Sequence, residues 1–100
     1  MKTLKNVHPG RILNEEFLEP LGITAYQLAK STGMPQTRIS SIVKGARSVT
    51  ADTALRLSQF FGNSAQFWLG LQTDFDLEEE QKRLKKDLAK IPNYREVAPA

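Results

Sequence analysis

The chain has 100 residues, of which 40% are hydrophobic and 25% are charged, and it contains no cysteine. These values are typical of one globular domain, and they exclude disulfides, thiolate metal sites and a cysteine nucleophile. No segment is apolar enough to span a bilayer, and residues 1–7 lack the apolar core of a signal peptide, so we expect a cytoplasmic protein. The net charge of +3 is too small to indicate a partner by itself.

The first helix is predicted to begin at residues 8–10 (His-Pro-Gly), because the fixed φ of proline suits the first helical position. Leu13, Phe17 and Leu21 follow at a spacing of four residues, which predicts one apolar helix face. Pro20 lacks a backbone N–H and is expected to disrupt the end of this helix.

The second helix is predicted to begin at Thr24, which forms a capping box with Gln27, and to end at Gly33. A third helix occupies residues 35–44, and Gly45 closes it. Each boundary depends on a local signal, namely a side chain that caps backbone amides or a glycine that adopts a left-handed conformation.

The fourth helix is predicted to run from the cap at Thr50 to Gly62, and the fifth begins at Asn63 or Ser64. Three large apolar residues lie on the fifth helix: Phe67, Trp68 and Leu71. We expect the first and the third of them in the core, because they are four residues apart and therefore share one helix face.

The character of the chain changes after residue 73. Acidic residues at 78–80 precede basic residues at 82, 83, 85 and 86, an order that suits the dipole of a further helix. We therefore predict a helical domain over residues 1–73, and a helical extension with a tail over residues 74–100.

Residues 24–45 predict two short helices joined by a turn at residues 31–34. Ala29 is a small residue at the expected crossing of the two helices, where it lets the backbones approach. This layout is a helix-turn-helix, in which the second helix enters the major groove of DNA. No acidic residue lies between Pro20 and Ala51, which is typical of a surface that faces a polyanion, although a chance gap explains it equally well.

The third helix has one apolar side and one polar side. At about 100° per residue, Ile39, Ile42 and Val43 share a narrow arc and are expected in the core. Serine and threonine, which are poor helix formers, dominate the opposite side, whereas a face that meets only water usually carries Glu and Lys. We therefore interpret the polar side as a DNA-contacting face. Its candidate residues are Gln36, Thr37, Arg38, Ser40, Ser41 and Lys44.

Residues 24–62 resemble the helix-turn-helix domains of phage-repressor type, through Gln27-Leu28-Ala29, Gly33, Ile39-Ser40, Ile42, Gly45 and residues 55–62. The wider chain is similar to the HigA antitoxins of bacterial toxin–antitoxin modules, through residues 8–10, 63–69 and 71–77. The resemblance implies an all-α, five-helix lambda-repressor-like domain with an additional C-terminal helix. It also implies a dimer that represses its own operon and neutralises a RelE-like toxin, which cleaves translated mRNA.

The resemblance assigns expected roles to side chains of the third helix. Gln36, Thr37 and Ser41 match the base-reading positions of phage-type repressors. Arg38 and Lys44 become candidates for contacts with flanking bases or with phosphates.

Further phosphate contacts are expected on both sides of that helix. Thr24 and Gln27, at the start of the second helix, would present amides to a phosphate. Arg47 and Ser48 would contact a phosphate from the loop that follows Gly45. Pro35 stands where many relatives have a Ser or Thr cap, so a cap hydrogen bond or a phosphate contact is expected to be missing there.

Several large apolar residues after position 63 are candidates for a dimer or partner surface, namely Trp68, Phe75, Leu77, Leu84, Leu88 and Ile91. The last four are spaced by seven, four and three residues, as in a coiled-coil seam. Such a seam packs against its own domain, a second copy or a toxin. We favour dimerisation, which predicts an inverted-repeat operator with half-sites about 34–36 Å apart or a multiple of that distance.

Three functional hypotheses remain open at this point. The chain is an antitoxin and autorepressor, a stand-alone repressor without a toxin, or a protein-interaction module that no longer binds DNA. The acid-free polar face argues against the third. We expect no cofactor, no metal ion and no enzymatic activity, and we interpret His8, the only histidine, as a helix-entry residue.

Overall fold

The computed structural model of the chain describes residues 6–98, and all regular secondary structure in this range is helical. The all-α prediction is therefore confirmed. Residues 1–5, on which most of the prediction about a signal peptide depends, lie outside the described range. Within the described range, no helix has the length and hydropathy that a membrane span requires.

The first helix, α1, consists of three consecutive parts: the α-helical turn Pro9–Ile12, the π-helical segment Leu13–Leu18 and the α-helical turn Glu19–Leu21. The helices that follow it in the described residues are α2 Ala25–Thr32, α3 Gln36–Val43, α4 Ala51–Phe61, α5 Ala65–Arg83, α6 Lys85–Ala89 and α7 Tyr94–Val97.

Local capping determines where the middle helices begin and end. Thr24 and Gln27 form the predicted capping box of α2, and Gly33 ends that helix with a φ of 70°. Thr50 caps α4, which ends at Gly62 with a φ of 80°. Only glycine adopts such angles without steric cost, so these glycines set the ends of α2 and α4.

The π-helical segment of α1 changes which residues face the core. Leu13 and Leu18 are buried, whereas Leu21 has 59% of its surface exposed. The prediction that Leu21 continues the apolar face is therefore wrong. In a regular α-helix the ring of Pro20 would clash with the carbonyl group of Glu16, and the wider π turn before it accommodates the proline and shifts the helix phase.

The core lies where α1–α5 meet, and its largest member is Trp68. Ile39 and Ile42 of α3 are fully buried and Val43 packs against the core, as predicted. Ala29 of α2 is also buried, as its expected place at a helix crossing requires. The apolar side of α3 is therefore anchored, and its polar side faces outward.

The prediction that Trp68 belongs to a partner surface is wrong, because this side chain is fully buried. Its ring packs against Phe17 and Phe61, with centroids 4.9 and 6.0 Å away. Its Nε1 donates a hydrogen bond of 2.9 Å to Oδ1 of Asn63. The adjacent Phe67, which we expected in the core, is 40% exposed instead.

Helix α5 continues past residue 73 without a break and ends at Arg83. The predicted boundary between residues 73 and 74 therefore falls inside a helix, and the division into two parts stays a prediction. Beyond the core the chain extends outward, which gives the described residues principal extents of 60 × 31 × 22 Å. Leu77, Leu88 and Ile91 are exposed, so the seam does not fold back on its own domain.

Gly10 allows α1 to pack directly on the backbone of α3. A Cβ atom at position 10 would lie 1.7 Å from the carbonyl oxygen of Ile42 and 3.0 Å from the Cα atom of Val43. Backbone atoms cannot move aside as the end of a flexible side chain can. The position therefore requires glycine for steric reasons, and it fixes the distance between the two helices.

His8 caps the start of α1. Its Nδ1 accepts a hydrogen bond of 2.9 Å from the backbone N–H of Gly10, and its ring packs edge-on against Phe75 with the centroids 5.0 Å apart. This geometry agrees with our interpretation of His8 as a helix-entry residue. Partial burial lowers the pKa of His8, and the negative charge of Asp76 opposes this shift.

We predict that Gly10→Ala lowers the free energy of unfolding by about 1–3 kcal/mol or more, because the added methyl group overlaps the backbone of α3. Urea denaturation followed by circular dichroism measures this change. Gly70→Ala is the matched control, since nothing lies within 4 Å of a Cβ atom there, and we expect it to be neutral or stabilising. Equal stabilities of Gly10→Ala and Gly70→Ala would contradict the close approach.

We also predict that the protein loses stability as the pH falls below about 6.5, because His8 then takes up a proton more readily in the unfolded chain than in the folded one. Since its folded-state pKa is lowered, His8 favours the folded state above its unfolded-state pKa of about 6.5. This contribution is lost as the pH falls through the lower, folded-state pKa. In His8→Asn, which keeps a capping acceptor, we expect a smaller loss over the same range. An identical pH dependence in both proteins would exclude His8 as its source.

Candidate nucleic-acid interface

The outward side of α3 carries polar side chains that the rest of the domain does not use. Gln36, Thr37 and Lys44 are exposed, and Ser40 and Ser41 are half-buried. Within residues 6–98 none of these five side chains forms a hydrogen bond or an ion pair, although side-chain bonds are frequent elsewhere. They are therefore available to an external partner.

The start of α3 has no side-chain cap. Pro35 is the N-cap residue, its backbone is extended, and no side-chain hydrogen bond satisfies the first amides of the helix. This agrees with the expected absence of a capping hydroxyl at this position. Among residues 6–98, the backbone N–H groups of Gln36 and Thr37 have no acceptor, and they lie at the end of α3 where base-contacting residues of a recognition helix lie.

Arg38 differs from the other candidates because it already has a partner. Its Nη1 donates a hydrogen bond of 2.7 Å to Oδ1 of Asp52, in the first turn of α4. The same carboxylate oxygen accepts a hydrogen bond of 2.9 Å from Nε of Arg56. Both guanidinium groups lower the pKa of Asp52 through these hydrogen bonds, and the bond from Arg38 has the larger effect.

The stretch between Pro20 and Ala51 contains no acidic residue, but the surface around α3 does include one. Asp52 lies just beyond that stretch and reaches the recognition helix through the fold. Arg56 also donates from Nη1 to the backbone carbonyl of Thr32, at the end of α2. The cluster of Arg38, Asp52 and Arg56 thus joins all three helices around the turn, and its net charge is positive.

The capping box of α2 uses the amides that we expected to bind phosphate. The backbone N–H of Thr24 donates to Oε1 of Gln27, and the backbone N–H of Gln27 donates to Oγ1 of Thr24. The predicted capping box therefore satisfies both backbone amides reciprocally, and a phosphate contact by Thr24 and Gln27 stays a prediction. The side-chain Nε2 of Gln27 has no partner among the described residues and remains a donor.

The loop after α3 is held in place by a hydrogen bond to α5. Arg47 and Ser48 are exposed, and Val49 beside them is buried. The N–H of Val49 donates a hydrogen bond of 2.7 Å to Oε1 of Gln72, a residue of α5 that is only 5% exposed. Nε2 of Gln72 in turn donates to Oδ1 of Asp76. This anchor could not be predicted from the sequence, because no local signal connects the loop with α5.

The predicted partner surface is only partly available. Phe75 is half-buried beside His8, and its backbone carbonyl accepts a hydrogen bond from Nδ2 of Asn6. Leu84 is half-buried as well. The residues that expose the most apolar surface in this part of the chain are Leu77, Leu88, Ile91, Tyr94 and Val97.

Two packed helices with a short turn, the second of which exposes a polar side, define the helix-turn-helix class of DNA-binding domains. The helix-turn-helix family model matches residues 15–68. Virulence-associated protein I of Dichelobacter nodosus is 52% identical over 71 residues, which cover 71% of this chain and 66% of that protein.

Two solved structures share the fold over nearly their whole length. An addiction module antidote protein of the HigA family from Coxiella burnetii is 42% identical, with a TM-score of 0.85, and the match covers 91% of this chain and 100% of that one. Antitoxin HigA of Pseudomonas aeruginosa, solved with the higBA promoter, is 33% identical, with a TM-score of 0.86 and coverages of 90% and 99%. The chain belongs to the HigA family of helix-turn-helix antitoxins.

Proposed function

We propose that this chain is an antitoxin that binds an inverted-repeat operator in double-stranded DNA and thereby represses its own operon. The observation that carries the proposal is the outward side of α3, on which five polar side chains have no partner within the described residues, namely Gln36, Thr37, Ser40, Ser41 and Lys44. Gln36, Thr37 and Ser41 would contact base edges in the major groove. The proposal assigns the chain no catalytic step and places its action in the cytoplasm, where the DNA is.

Phosphate contacts would supply much of the affinity and would position α3. Lys44 and Arg47 are exposed at the end of α3 and in the loop after it, and neither forms an ion pair within residues 6–98. Ser48 lies beside them in the same loop. Because Gln72 fixes this loop, the two basic side chains start from a defined backbone position.

We also propose that the chain neutralises a RelE-like toxin, since relatives with closely similar folds are named antitoxin or antidote protein. A stand-alone repressor is the alternative. Co-expression separates the two: the product of the neighbouring reading frame should stop growth when expressed alone, and this chain should restore growth. If that product is harmless, the stand-alone repressor is correct.

We predict that Thr37→Glu weakens binding to a duplex of the chain's own promoter at least about tenfold, because the new carboxylate faces DNA phosphates and base acceptors. Fluorescence anisotropy measures the Kd. Thr73→Glu is the matched control, since it adds the same charge at an exposed position of α5. Both variants should keep the wild-type circular dichroism spectrum. If Thr37→Glu and Thr73→Glu bind equally well, α3 is not the recognition helix.

A second prediction concerns dimerisation. We expect the chain to sediment as a dimer at micromolar concentration, and Leu77→Glu to sediment as a monomer, because a charge on the exposed seam opposes apolar pairing. Leu55→Glu is the control: Leu55 is 61% exposed, against 56% for Leu77, but lies on α4, away from the seam. A monomeric wild type, or equal effects of the two variants, would contradict pairing through the seam.

A further inference from the structure

Asp52 and Arg56 of α4 hold the side chain of Arg38 of α3 in a fixed direction. The side chain of Arg38 is only 27% exposed, although this residue lies at the border of the polar side of α3. Asp52 is fixed in turn by Arg56, which also bonds to the carbonyl of Thr32. The guanidinium of Arg38 is thus connected to the end of α2 through a chain of three hydrogen bonds, and its freedom to rotate is reduced before any DNA binds.

The contact with Asp52 uses only one corner of the guanidinium group. Nη1 of Arg38 is bonded, whereas its Nε and Nη2 have no partner among residues 6–98. These two atoms form one edge of the planar fork, and such an edge can donate two parallel hydrogen bonds. The base that presents two acceptors in the major groove is guanine, through O6 and N7.

We propose that Arg38 reads a guanine in each operator half-site and that Asp52 is a positioning residue that aims it. The inference rests on the proposed function and extends it. It names the base that Arg38 reads and the carboxylate that orients Arg38. A side chain that is already oriented loses less rotational entropy on binding. Asp52 therefore adds selectivity at one base pair and adds little to the affinity for DNA in general.

A different role for Asp52 predicts a different result. If Asp52 only competes with DNA phosphates for the two arginines, its removal frees positive charge and strengthens binding to every sequence. If it only stabilises the fold, its removal lowers the melting temperature and weakens binding to all sequences by the same factor. Neither role changes the preference for one particular base.

The test is a selection of the full chain on a library of randomised DNA duplexes, with sequencing of the bound fraction. We expect the wild type to prefer guanine at one position of each half-site by roughly 10- to 100-fold. Arg38→Ala should abolish this preference, and Asp52→Ala should remove most of it. The double variant should resemble Arg38→Ala, because the carboxylate acts only through the arginine.

Two further variants make the test specific. Asp74→Ala removes an equal charge from an exposed position of α5 and should keep the full preference. Asp52→Asn keeps an oxygen acceptor near Nη1 and should lose less of the preference than Asp52→Ala does. If Asp52→Ala does not fold, Asp52→Asn decides, and full retention of the preference in it overturns the proposal.

The outcomes separate this inference from the proposed function. A wild type that enriches no sequence refutes the proposed function, and the inference with it. A selective wild type whose guanine preference survives in Arg38→Ala or in Asp52→Ala refutes the inference alone. Loss of the same base preference in both variants, with retention in Asp74→Ala, supports it.

Discussion

The direction of α3 depends on how closely its backbone approaches the first turn of α1. Gly10 has no side chain, and the carbonyl oxygen of Ile42 lies only 1.7 Å from where a Cβ atom would be. Ile39 and Ile42 are fully buried on the same side of α3. The helix cannot turn about its axis without opening this contact or exposing apolar surface, so packing fixes the side that faces outward.

The ends of the middle helices could be predicted from the sequence because their causes are local. The capping box of Thr24 and Gln27, and the left-handed Gly33, involve residues within a few positions of each other. The prediction for Leu21 was wrong because it assumed a regular helical period across Pro20, and the helix has a wider π turn before this proline. The short helix α7 was missed although a capping box at Asn93 signals it.

The errors at the candidate site have a different physical origin. Helical spacing tells which residues share a face but not which face meets the core. For the adjacent residues Phe67 and Trp68, the predicted buried and exposed positions were therefore reversed. The bond from Arg38 to Asp52 joins residues 14 positions apart, and the anchor of Val49 on Gln72 spans 23 positions. No local pattern specifies such contacts, because they exist only after the helices have packed. The base and phosphate roles of the individual residues stay predictions.

Gln72 has a mechanical consequence. Helix α5 has 19 residues, and a helix of that length is a stiff rod of about 28 Å. The bond from Gln72 holds the loop after α3, whereas Leu77, about one and a half turns further along the rod, is exposed at its outer half. One continuous ladder of backbone hydrogen bonds joins the two positions, so the same stiff helix holds the loop that carries Arg47 and presents the exposed Leu77.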